Sequence, residues 1–79
     1  MSNFHFTADQ CFAIERAIIF QFLSFEGSYK RVVNRDIAYA ASLAQRCRVL
    51  ADVYSVLTDG QKLLTNSDSL FNYMYPENH

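Results

Sequence analysis

Two glycines, one proline and two cysteines are all that this chain holds of the residues that most often punctuate or cross-link small proteins. Each shortage excludes something. With Gly27 and Gly60 as the only glycines there is no glycine-rich loop to cradle a phosphate, and each falls where a turn is expected. The single Pro76 leaves no proline-rich linker. Cys11 and Cys47 form no close-spaced disulfide framework, and the opening MSNFHFTADQ has neither a basic start nor an apolar run, so the cytosol is the expected compartment. Long apolar runs are missing too. The densest, Ala17 to Phe25, is interrupted by Gln21 and Ser24 and falls short of the roughly 20 apolar residues a membrane span needs, so no membrane partner is expected.

Charge of one sign is also lacking. A formal net charge of -1 gives no global attraction to nucleic acid or anionic lipid. Locally the balance differs: residues 28–48 carry Lys30, Arg31, Arg35, Arg46 and Arg48 against Asp36 alone.

What the chain has in quantity is apolar and aromatic surface. Hydrophobic residues make up 51% of it and charged residues only 19%, which is too apolar for a disordered chain. Its 79 residues leave no room for two cores, so residues 1–79 are read as a single helical domain. A domain this small buries only about 60% of the surface its unfolded chain exposes. Seven Phe and five Tyr are then difficult to hide in one thin core, and the surplus points to an interface.

Periodicity gives an all-α class, a small bundle of about three helices: two long and one or two short C-terminal ones. Thr7 to Gln10 is a capping box, and Phe6 before it can staple against Cys11. Cys11, Ile14, Ile18, Phe22 and Phe25 then recur at spacings of three and four on one face. Phe12, Ile19 and Leu23 add a second stripe and leave a narrow polar strip around Glu15 and Arg16, so this helix is expected to be covered on more than one side. Glu26-Gly27-Ser28 is expected to end it. A second helix begins at Asn34 or, in another reading, already at Ser28, and runs to about Leu57. It places Ile37, Ala41, Ala44, Cys47, Ala51, Tyr54 and Leu57 at helical spacing, and its alanine-rich start, residues 38–44, lets the first helix approach closely.

Gly60 stops this helix, although Thr58 and Gln61 also read as a second capping box. Residues 61–65 and 67–75 are read as short helical pieces with Leu63, Leu64, Leu70, Phe71 and Met74 as contacts. The alternation of Phe71, Tyr73 and Tyr75, matched by Phe4 and Phe6, competes with that reading as a short pairing of the termini.

Catalytic and metal chemistry finds little to work with. His5, His79, Cys11 and Cys47 are far apart and lack metal-ligand spacing, so neither metal nor other cofactor is expected. Cys47 lies between Arg46 and Arg48, but helical neighbours point about 100° apart, and a buried apolar role fits it better than a nucleophile's. No two carboxylates converge: Asp52 and Asp59 miss the i, i+4 relation, and Glu15, Asp36 and Asp68 have helical or capping roles. The chain is therefore expected not to be an enzyme.

Two surfaces remain. Tyr29, Lys30, Arg31 and Arg35 form a candidate anion-binding segment near an expected helix start, suited to a nucleotide, a phosphate or a nucleic-acid backbone. Three or four cations would bind nucleic acid weakly and could read no sequence. The other surface combines the first helix with the aromatic tail, naming Ile18, Phe22, Phe25, Phe71, Tyr73 and Tyr75 as a candidate protein interface. The leading expectation is a non-enzymatic helical interaction protein that forms a homodimer and acts on a larger protein as adaptor, regulator or inhibitor. The anion-binding module is the runner-up.

Overall fold

A computed structural model of the chain describes residues 5–76. Three helices follow in order, α1 (Ala8–Val32), α2 (Ile37–Leu57) and α3 (Asp68–Met74), with no strand among the described residues. The all-α reading holds. The competing pairing of the termini does not: the 71–75 segment is helical or helix-capping, and Phe4 lies outside the described residues.

The start of α1 is the one the sequence dictates. Thr7 accepts from the Gln10 amide at 3.1 Å while the Gln10 side chain accepts from the Thr7 amide at 2.9 Å, so two otherwise unpaired donors are satisfied. Its end is not where the sequence placed it. Gly27 keeps helical backbone and α1 runs on to Val32. A glycine in a helix costs about 1 kcal/mol relative to alanine, and burial of Tyr29 with packing of Val32 and Val33 against the core offsets that cost. Residues 33–35 make the turn, and Asp36, rather than Asn34 or Ser28, caps α2 by accepting from the Tyr39 amide at 3.0 Å.

Leu57 ends α2 as expected. The Thr58 hydroxyl donates to the Tyr54 carbonyl at 2.7 Å, so Thr58 closes a C-terminus and does not open a new helix. Asp59 and Gly60 then take left-handed backbone, φ 56° and 96°, which sends the chain back along the molecule. Residues 61–65 are a non-helical loop, correcting the expected helical piece. The Tyr75 hydroxyl donates to the Leu63 carbonyl at 3.0 Å and holds that loop with Leu63 buried. Ser67 caps α3.

The core is one cluster: Ile18, Phe22 and Tyr29 of α1, Ala40, Leu43, Ala44, Cys47 and Ala51 of α2, and Leu63, Leu70 and Met74 from the C-terminal part. Small residues on α2 let its neighbours approach, as the alanine-rich stretch implied. The buried row of α2 is rotated from the expected one, however. Ala40 and Leu43 turn inward, whereas Ala41 is exposed and Ile37 is 78% exposed. Among the described residues no charged side chain is buried.

Candidate functional site

Part of the apolar surface that the core does not use lies on the outer side of α1. Phe12, Phe20 and Leu23 lie at spacings of eight and three, which brings them to one side of a 3.6-residue helix, and they are 60%, 64% and 53% exposed. Arg16 sits between the two phenylalanines, its guanidinium carbon 5.6 Å from each ring centroid. Ile19 borders the row and is partly covered by the core. The rings are therefore tied together by a cation that also keeps the patch hydrated in the free chain.

A second apolar feature belongs to α2. Val49, Val53 and Val56 are exposed at i, i+4 and i+7. Two of them, with His5, Phe6, Cys11 and Leu57, line a hollow of about 450 Å³. The expected staple partners Phe6 and Cys11 thus share the wall of one hollow beside the N-terminus of α1.

The residues named for an interface from the sequence divide differently. Ile18 and Phe22 are in the chain's own core. Phe25 is partly buried against it, with the Arg46 guanidinium 5.8 Å from its ring. Phe71 and Tyr75 pack on each other at 5.0 Å between centroids, and the Lys62 ammonium lies 5.9 and 5.1 Å from the two rings. Tyr73 donates to Gln45 of α2 at 3.0 Å and keeps one exposed side. The tail closes its own chain's core. These contacts tie the positions to their own chain, with α3 covering the flank of a two-helix layer, and Tyr73 remains partly exposed.

The basic segment requires a correction of its premise. Lys30 and Arg31 occupy the last turn of α1, not a helix start. Carbonyl groups and the negative end of the helix dipole gather there, which disfavours an anion. Arg35 donates from Nε and Nη2 to the Arg31 carbonyl, at 3.3 and 3.1 Å, and so caps that end. Arg31 reaches Ser28 at 3.0 Å, and Lys30 donates to Asn66. Tyr29 is buried, its hydroxyl 2.8 Å from that of Ser69, and has no free face for stacking. The helix start that does follow, at α2, has the Asp36 carboxylate on it.

Cys47 is fully buried. Loss of solvent, reinforced by the negative field of Glu26, pushes its thiol up from 9.0 to about 11, so the nucleophilic thiolate is suppressed. Cys11 is half-buried and free. No group of three or more His, Cys, Asp or Glu is placed to hold a metal among the described residues, to which His79 does not belong.

Sequence reasoning caught Phe12, Ile19 and Leu23 as a second stripe and missed Phe20. The signal was present, since Phe20 stands two helical steps of four beyond Phe12 with Arg16 between them. The spacing of Val49, Val53 and Val56 was equally legible. No helix among the described residues is long and apolar enough to cross a membrane. Compared with known proteins, the chain matches no family model, no curated protein and no solved structure.

Proposed function

We propose that this chain is a non-enzymatic, cytosolic interaction module that self-associates through the outer side of α1 and acts on a larger protein as adaptor, regulator or inhibitor. One observation carries the reading: Phe12, Phe20 and Leu23 stand more than half exposed in a row while the core is complete without them. Burying a large apolar side chain is worth roughly 1.5–3 kcal/mol, so a row of three is a substantial driving force left unused in the isolated chain. Phenylalanine and arginine are also the residue types enriched where proteins meet. The valine row of α2 supplies a separate surface, which suits a module that holds itself with one helix and a larger protein with the other.

The test is absolute mass by light scattering over about a hundredfold range of concentration, for the natural chain and for Phe20→Asp. A mass that rises towards the dimer in the natural chain and stays at the monomer in the variant is the expected result. A natural chain that is monomeric throughout, or a Phe20→Asp chain that dimerises as well as the natural one, overturns the reading.

A further inference from the structure

We infer that the outer side of α1 pairs with the same side of a second copy, the two helices running antiparallel and crossing near Ile19 and Phe20. This rests on the reading that the chain self-associates, and it adds the partner's orientation. At 100° per residue, Asp9, Phe12, Arg16, Phe20, Leu23, Gly27 and Lys30 fall within an arc of about 80°. The row therefore runs from one end of α1 to the other. It has an acid in the first turn and the bases Lys30 and Arg31 in the last.

Charge decides the orientation. A parallel copy would set Asp9 beside Asp9 and Lys30 beside Lys30, with the helix dipoles aligned. An antiparallel copy sets Asp9 opposite Lys30 at both ends and opposes the dipoles. In that register Ile19 meets Phe20, Arg16 meets Leu23, and Phe12 meets Gly27. Gly27 is the only glycine within a described helix, and even a methyl group there would find just the Arg31 guanidinium, at 3.7 Å. The missing side chain leaves a notch for a phenylalanine ring. Leu64 is exposed beside Glu26 and Lys30, where it extends the row at its basic end.

The area sets the strength. At about 150–250 Å² for a large side chain, and a little over half of that still exposed, the three main residues contribute roughly 300–400 Å² per copy. That is about half of the ~800 Å² per partner in a standard interface. The pair is a weak dimer, filled and emptied by changes of concentration.

The decisive experiment mixes charge variants. Asp9→Lys and Lys30→Asp, each alone, should weaken the dimer about three- to tenfold, as expected for exposed charges turned from attraction to repulsion. A parallel pair, which already sets like charges together, would be weakened by neither variant, so the single variants and the disulfide trapping read the orientation. Mixed in equal amounts the two should form the heterodimer in preference to either homodimer, because both ends are again opposite in charge. Circular dichroism confirms that each variant keeps its helices. Disulfide trapping gives a second measurement in a Cys11→Ser background: Asp9→Cys should couple to Lys30→Cys and not to itself. No heterodimer preference, or Asp9→Cys chains coupling to one another, overturns the antiparallel pairing. If Phe20→Asp still abolishes association in that case, the self-association reading stands without it. A natural chain that never dimerises removes both.

Discussion

Phe20 and Phe22 are two residues apart on the same helix, and one is 64% exposed while the other is 2% exposed. Both faces of α1 are apolar, yet only one is held by the chain itself. The inner face meets α2 through Ile18, Phe22 and Tyr29, and α3 reaches it through the Tyr29–Ser69 hydrogen bond. Among the described residues, the outer face has Arg16 laid across its rings. Stability and the proposed association thus fall on opposite sides of one helix, and substitutions should separate them.

The largest effect should come from the inner face. Phe22→Ala leaves a cavity in the core cluster and should cost about 3–5 kcal/mol, enough to unfold much of a chain of this size. Urea titration followed by circular dichroism measures it. A cost below about 1 kcal/mol, in the range of a surface change, would erase the distinction between the faces.

Next is alkaline pH, which tests how dry the inner face is. The folded-state pKa of Cys47 is raised from 9.0 to about 11, so its contribution is fully present below pH 9.0 and is lost as pH rises through about 11. Tyr75, raised chiefly by burial, acts in the same direction. Together they should make the melting temperature fall on the alkaline side. For Cys47 the loss is about 3 kcal/mol, and Cys47→Ala should flatten that part of the profile.

Smaller effects come from the ends and the outer face. Thr7→Ala removes half of the capping box and should cost about 1 kcal/mol, with α1 fraying from its first turn. Gly27→Ala should gain about 0.5–1 kcal/mol in the monomer, because the site is helical and has room for a methyl group. That same methyl group partly fills the proposed notch, so monomer stability should rise while the dimer weakens. Phe20→Ser should be smallest for stability, within about 0.5 kcal/mol, while its effect on mass is large.

Much of the fold was legible along the chain. The capping box, the 3.6-residue spacing of α1 and the stop at Thr58-Asp59-Gly60 are local signals, and local hydrogen bonds realise them. The break at Gly27 was misplaced because a glycine only weakens a helix by about 1 kcal/mol, and tertiary burial of Tyr29 outweighs it. That single shift turned the basic segment from a helix start into a helix end, and with it went the helix-start support for an anion site there. The tail was ambiguous for a different reason: alternating Phe71, Tyr73 and Tyr75 fit a strand, and seven helical residues fit as well. Contacts with Gln45, Leu63 and Lys62 decide for the helix.

The sequence by itself determined that the chain is helical, where α1 begins, where α2 ends, and that more aromatic surface exists than one small core can absorb. These follow from capping chemistry, periodicity and the ratio of surface to volume, all of which are local or compositional. Only the tertiary structure decided which aromatics remain outside. Both stripes of α1 are apolar enough to be buried, and the choice between them depends on which one the small residues of α2 can approach. Packing is a property of pairs of surfaces, and one helix's pattern states what it can bury without stating against whom.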